Sequence, residues 1–266
     1  GCFFKYLYAI NNTIKGMSQK MKKHYFLLIL LLVVFPCSVS AQEKISVAVA
    51  ANFISAFKEI AADFEGKTQI KVEGTFSSTG NLYSQTINGA PYDLFLSADE
   101  ERPSLLNKDG LADTPFVYAK GQSILWSANE DFCKAKTWPE ALKNKKIKKI
   151  SIANTQTAPY GAAAQKALEA VGIWNALQSK LVVAQTVAQS FQYASTSAVD
   201  AGFCAMSATL SEEGKKGCFY VINEAPEIIQ SACILKRTTN RAATEKFVEY
   251  LNSSGAKNIK IKYGYR

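Results

Sequence analysis

From Glu43 onward the chain alternates short apolar, β-branched runs with amphipathic helical stretches, and this rhythm leaves few folds open. KISVAVAA reads as a strand. NFISAFKEIAADFEG reads as the helix after it, with Phe53, Phe57, Ile60 and Phe64 at helical spacing and a stop at Gly66. IKVEGTF is a second strand, NLYSQTING a helix closed by Gly89, and DLFLSAD a third strand. Alternation of this kind implies parallel strands joined by right-handed crossovers, hence an α/β sheet. The pattern restarts after Phe116 with a long extended run broken at Gly121 and a helix, WPEALKN, with proline in its first turn. KKISIAN, APYGAAAQKALEAVG, KLVVAQT, VAQSFQYASTSAVD and AGFCAMS then read as strand, helix, strand, helix and strand, and SACILKR and ATEKFVEYLNS close the chain. Two such sets, with extended runs at both changeovers, predict two α/β lobes joined by two crossings. Lobe 1 is expected from residues 42–122 plus 232–266, and lobe 2 from 123–231.

The segment before this pattern is of another kind. From Met21, a Lys22-Lys23 start, an apolar run from Tyr25 to Phe35 and small residues Val39 and Ala41 form a secretory signal peptide over 21–41, with cleavage after Ala41. Residues 1–20 are read as upstream sequence without function. Cys37 raises the alternative of a lipid anchor, but Pro36 directly before it suits a lipoprotein processing site poorly. Without residues 1–41 and their five Lys, the formal charge falls from +9 to +4. What basicity remains gathers in KNKKIKK, Lys143 to Lys149, which reads as a solvated surface turn because no aromatic or recognition motif accompanies it. No nucleic-acid partner is expected.

The residue inventory excludes several chemistries. The only histidine, His24, lies in the leader, so Ser-His-Asp and Cys-His catalysis and histidine-ligated metals are ruled out of the exported chain. Cys133, Cys204, Cys218 and Cys233 form no CxxC pair; in an oxidising compartment they suggest one or two disulfides with the pairing left open. In TFSSTGNL, Gly80 is followed by Asn81 rather than lysine, so the turn is not a nucleotide-binding P-loop.

The functional signal lies where strands hand over to helices. Ala50-Ala51-Asn52, Ser77-Ser78-Thr79-Gly80, Ala158-Pro159-Tyr160-Gly161 and Gln185-Thr186-Val187 each stand between a strand end and a helix start. Open α/β sheets bind ligands at such carboxyl ends. Each helix start offers unpaired N–H groups and a positive dipole end. The hydroxyls of Ser78 and Thr79, the amide of Asn52 and the phenol of Tyr160 add neutral donors, and together these suit a small anion without any lysine. The competing explanation is ordinary N-capping, worth about 1 kcal/mol per junction in any α/β protein. Tyr160, an aromatic flanked by proline and glycine, fits a pure cap badly.

AVAANF, TFSSTGNLYSQTINGAPYDLFLSADEERP, QTAPYGAAAQKALEAVGIW and the closing AKNIKIKYGYR resemble the periplasmic molybdate-binding proteins of ABC importers, across essentially the whole exported chain. NGAPYDLFLSADEERP is the most specific stretch. The resemblance implies a type II periplasmic-binding fold in which two lobes close on an oxyanion. It implies Asn52, Thr79, Tyr160 and Val187 as ligand-binding residues, Val187 through its backbone N–H, with Ser78 and Ala51 adjoining. Many members carry serine in place of Asn52 and of Thr79, and some supply a tyrosine where this chain has Ala205. Tyr160 places the chain in a subgroup with asparagine in the first loop and tyrosine in the third.

These readings lead to one expected function and two rivals. The expected function is that of a monomeric, non-enzymatic periplasmic receptor for molybdate and tungstate, without a cofactor or directly coordinated metal, serving the permease and ATPase of an ABC importer. A donor-only shell matches dianions that present only acceptors, whereas hydrogen phosphate carries a proton needing an acceptor that the junctions lack. The same fold could instead hold sulfate, thiosulfate or a small carboxylate, though the last would call for an arginine clamp. An exported phosphate-ester hydrolase is the remote alternative.

Overall fold

The computed structural model describes residues 43–266, so the expectations for the leader, its cleavage and Cys37 lie outside the described residues. Within them stand two five-stranded mixed sheets flanked by helices. The first sheet has the order β2-β1-β3-β10-β4, from β1 (Lys44–Ala50), β2 (Lys71–Ser77), β3 (Leu94–Leu96), β4 (Phe116–Gly121) and β10 (Ile228–Ile234). The second has the order β7-β6-β8-β5-β9, from β5 (Ser123–Ser127), β6 (Ile150–Ala153), β7 (Leu181–Ala184), β8 (Ala201–Ala205) and β9 (Cys218–Val221).

The parallel pairing expected from the alternation holds within each βαβ set. β1 runs parallel to β2 and β3, and β6 parallel to β7 and β8. It fails at the changeovers, where β10 is antiparallel to β3 and β4, and β5 is antiparallel to β8 and β9. A strand that crosses directly between sheets, without a helix to turn it round, enters its new sheet in the opposite sense. The outward crossing is the single residue Gln122 between β4 and β5; the return occupies 222–227. β10 therefore lies wholly in the first sheet, and the return falls several residues before the boundary expected at Ser231.

Strand β1 explains why helices must cover both faces of its sheet. Ile45, Val47 and Val49 pack on one side with Phe57, Ile60 and Phe64 of α1 (Ile54–Thr68) and Phe247 of α8 (Arg241–Leu251). Ala48 faces the other side, against Leu82 of α2 (Thr79–Ile87) and Leu106 of α3 (Glu101–Lys108). Helix α1 runs past Gly66 to Thr68, because Gln69 takes the left-handed conformation (φ 62°) and donates its N–H to Glu65 O at 2.8 Å, closing the last turn. In the second lobe, β6 is buried along its length. Its sheet packs with Trp138 of α4 (Trp138–Lys143) and Ala163, Ala164, Ala167 and Leu168 of α5 (Pro159–Ala170). A disulfide joins Cys133 to Cys218 on β9, while Cys204 and Cys233 are free and buried. α6 (Trp174–Leu177) and α7 (Val187–Ser195) complete the second lobe; α9 (Ser254–Lys262) and the tail to Tyr265 return to the first.

Candidate functional site

The carboxyl ends of β1 and β2 in one sheet face that of β6 in the other, and the helix starts that follow them meet in one small pocket. Its lining includes all six residues singled out from the sequence: Ala51, Asn52, Ser78, Thr79, Tyr160 and Val187. Apart from the phenol of Tyr160, no lining residue is ionisable. The lobes touch around it: Gly80 N donates to Thr157 O at 2.8 Å, Arg102 Nη2 to Gln156 O at 3.0 Å, and Ser207 Oγ to Asn52 O at 3.0 Å.

The four junctions look alike in sequence and differ in bonding. Thr186 behaves as an ordinary cap, its Oγ1 accepting from Gln189 N at 3.0 Å, so α7 presents Val187 at its first position. Ser78 holds the cap position of α2 in extended geometry (φ −66°, ψ 149°) but makes no cap bond, and its buried Oγ has no partner within the protein. Thr79 Oγ1 accepts from Ala98 N at 3.0 Å. That bond occupies a lone pair and leaves the hydroxyl's own proton to be donated elsewhere. Tyr160 follows Pro159 into the first turn of α5 and is 3% exposed, with no hydrogen-bond partner for its Oη. Burial, and then the nearby phenols of Tyr265 and Tyr118, push its pKa well above the ordinary value, so it stays a protonated donor. The Asn52 amide lies close enough to pull the other way without reaching hydrogen-bond geometry.

Asn52 departs most from its expected role. It sits in a 3₁₀ turn, Ala51–Phe53, between β1 and α1, and its Nδ2 donates inward to Gln230 Oε1 at 2.8 Å and to Tyr265 Oη at 3.2 Å. Its carbonyl accepts from Tyr265 Oη at 2.6 Å as well as from Ser207. In this conformation Asn52 lines the pocket and anchors a buried network, with both amide hydrogens engaged inside the protein.

Sequence reasoning missed that network. Gln230, Tyr118 and Tyr265 are buried beneath the site; Tyr118 Oη lies 3.1 Å from both Ser97 O and Gln230 Oε1. A signal existed for Gln230: a lone amide among the buried residues Ile228, Ser231, Ala232, Cys233 and Ile234 of β10 needs a polar purpose. Ala98, just past β3, was missed too, because the use of its N–H depends on the approach of α2. Among the described residues the buried side-chain polar atoms without a partner are Ser78 Oγ, Tyr160 Oη, Thr157 Oγ1, Gln230 Nε2 and Ser123 Oγ. The first two line the pocket. Thr157 packs against Gly80, and Gln230 and Tyr160 both crowd Gly121. Also among the described residues, no three metal-ligating side chains cluster, and no helix is long and apolar enough to cross a membrane.

Residues 45–266 match the family described as bacterial extracellular solute-binding protein. The chain is 38% identical to the molybdate-binding protein ModA of Azotobacter vinelandii, over 86% of this chain and 92% of that one. It is 34% identical to the molybdate-binding protein ModA of Rhodobacter capsulatus, over 85% and 89%. Among solved structures, the periplasmic molybdate-binding protein of Azotobacter vinelandii superposes with a TM-score of 0.78 at 32% identity, over 84% of this chain and 98% of that one. The sulfate-binding protein SubI of Mycobacterium tuberculosis, at 12% identity and a TM-score of 0.71, shares the fold.

Proposed function

We infer, for a chain that belongs to the family of bacterial extracellular solute-binding proteins, that it captures molybdate, with tungstate as the near-isosteric second ligand, and delivers it to the permease and ATPase of an ABC importer. One observation carries the reading. Ser78 Oγ from the first lobe and Tyr160 Oη from the second are buried, without partners in the protein, on one uncharged pocket. A buried hydroxyl left unpaired costs about 1–3 kcal/mol, so two of them on residues lining one pocket call for an acceptor there. The names of the relatives give that acceptor its identity.

A tetrahedral dianion offers oxygens in several directions and no protons. Tyr160 gives its hydroxyl proton to one, Ser78 and Thr79 give theirs to others, and the first-turn N–H groups at Ala51, Asn52 and Val187 add dipole-assisted donors. Neutral donors leave no unpaired cation in the empty pocket, and the role is binding rather than turnover. Because Ser78 and Thr79 belong to the first lobe and Tyr160 and Val187 to the second, the anion is fully held only when the lobes are together. Opening of the cleft on the importer would separate the donor sets and release the anion outside the cytoplasm.

The test is calorimetric titration with molybdate, tungstate, sulfate and phosphate after unfolding and refolding to strip carried-over ligand. One-to-one binding of molybdate and tungstate, with sulfate at least a hundredfold weaker, is the expected result. Heat from sulfate alone, or from none of the four, would refute the ligand assignment.

A further inference from the structure

The buried amide of Gln230 reaches both halves of the pocket lining. Gln230 is fully buried on β10, at the irregularity in that strand's pairing with β4 and two residues after β10 emerges from the return crossing between the sheets. Its Oε1 accepts from Asn52 Nδ2 at 2.8 Å and lies 3.1 Å from Tyr118 Oη. Its Nε2 has no partner, and neither has Tyr160 Oη of the other lobe. Both atoms crowd one point: a Cβ built on Gly121 would stand 2.0 Å from Tyr160 Oη and 2.8 Å from Gln230 Nε2. The glycine makes this approach possible. An amide N–H is only a donor and a phenol oxygen can accept while its proton is given away, so the two orphans are complementary.

We propose that Gln230 is the positioning residue of the oxyanion site, fixing Asn52 of the first lobe through Oε1 and donating through Nε2 to Tyr160 Oη of the second, so that the phenol proton is directed at the bound anion. The relay forms with the anion bound, when a small shift brings the two atoms together: Nε2–H to Oη and Oη–H to the anion oxygen, with no proton transferred. Each bond polarises the next, so the phenol becomes a stronger donor only when the lobes are closed and Tyr160 lies over Gly121. The proposal rests on the molybdate reading and extends it to how the site senses closure.

Two measurements on the same protein test it, both by titration with molybdate. In a double-mutant cycle, Gln230→Met and Tyr160→Phe should each weaken binding about tenfold or more, and the double variant should lose at least fivefold less than the product of the single losses. Gln230→Met leaves Tyr118 its bond to Ser97 and Asn52 its bond to Tyr265, so the fold has alternative partners to keep it. Gln230→Glu gives a second, pH-dependent readout. Ionised, the carboxylate repels the anion and takes the phenol proton for itself; protonated, it regains a donor towards Oη. Its affinity should rise at least tenfold from pH 8 to pH 6, while the wild type changes less than twofold. Losses that multiply in full, or a Glu variant with the wild type's flat profile, overturn the role of Gln230 alone. A wild type that binds neither molybdate nor tungstate overturns the ligand reading and this proposal with it.

Discussion

Tyr160→Phe separates stability from function in opposite directions, and a single oxygen atom is responsible for both. The phenol is 3% exposed and its hydroxyl has no partner within the protein. Removing that oxygen from a buried, unpaired position should stabilise the empty protein by about 1–2 kcal/mol. At this chain length about 1 kcal/mol moves the melting midpoint by roughly 2–4 °C, so an upward shift of about 2–8 °C is expected. The same atom is a donor to a charged ligand in the proposed complex, and its loss should cost about 1–3 kcal/mol of binding, a factor of roughly 5 to 150. Ligand should then cancel the advantage of the empty variant. At molybdate a hundred times the wild-type Kd, the wild type gains about 2.7 kcal/mol from mass action, whereas a variant binding thirtyfold more weakly gains about 0.9 kcal/mol. Empty, the variant melts higher; loaded, it should melt level with the wild type or up to about 3 °C below it. Melting curves by circular dichroism on stripped and loaded protein, with calorimetric titration alongside, measure every quantity. A variant that melts lower when empty would mean that Oη already holds a partner inside the fold, such as Gln230 Nε2, before an anion arrives. Unchanged affinity would remove Tyr160 from contact with the anion.

Gly121→Ala tests the same contact from the other side: the new methyl would stand 2.0 Å from Tyr160 Oη, so affinity should fall about as far as in Tyr160→Phe. Unlike that variant it should also lose about 1–3 kcal/mol of stability to overpacking, and a neutral result in both assays would show that the phenol is free to move. The Cys133–Cys218 bridge spans 85 residues, for which the chain-entropy model gives about 4.5 kcal/mol. Cys133→Ser with Cys218→Ser should therefore lower the melting midpoint by about 10 °C or more, with molybdate affinity unchanged within twofold, because neither residue lines the pocket. Burial raises the pKa of Tyr118 and Tyr160 and pushes that of Tyr265 up to about 12. A raised folded-state value means that the unfolded chain loses the proton first, so these phenols leave stability untouched below about pH 10 and erode it as pH climbs from there through 12. Tyr265→Phe should flatten that alkaline decline in a pH-dependent melt; an equally steep decline would place its cause elsewhere.

What the sequence makes legible here is periodicity, and what it hides is partnership. Phe57, Ile60 and Phe64 announce the buried face of α1 because helical spacing leaves them no other common side. The sense of β10 and β5 is not written in their residues, which read as apolar strand whichever way the neighbour runs. The end of α1 is missed at Gly66 because the left-handed position falls on Gln69, where a non-glycine residue closes the turn. Ser78 and Thr186 are equivalent in sequence, a small hydroxyl residue just before a helix. Only packing distinguishes them, since Thr186 Oγ1 meets Gln189 N and Ser78 Oγ meets nothing in the protein. The Cys133–Cys218 pairing is likewise a fact of three-dimensional proximity, one of several that the spacing allowed.

That distinction bears on the competing explanation of the hydroxyl-rich turn. If capping were the whole purpose, the cap bond should be present at Ser78, as it is at Thr186 and at Ser253, whose Oγ accepts from Ala256 N. A serine that stands in the capping position, has extended geometry and still leaves its oxygen unpaired in a buried place has been held for something else. The same reasoning applies to Tyr160 on the facing lobe, and an accident would have to occur twice on one small pocket. Under the proposed function, donors held apart from internal partners would disfavour the empty closed state relative to the occupied one. Closure without an anion would leave hydroxyls unsatisfied and closure with one would satisfy them, which would let an importer distinguish the occupied, closed form.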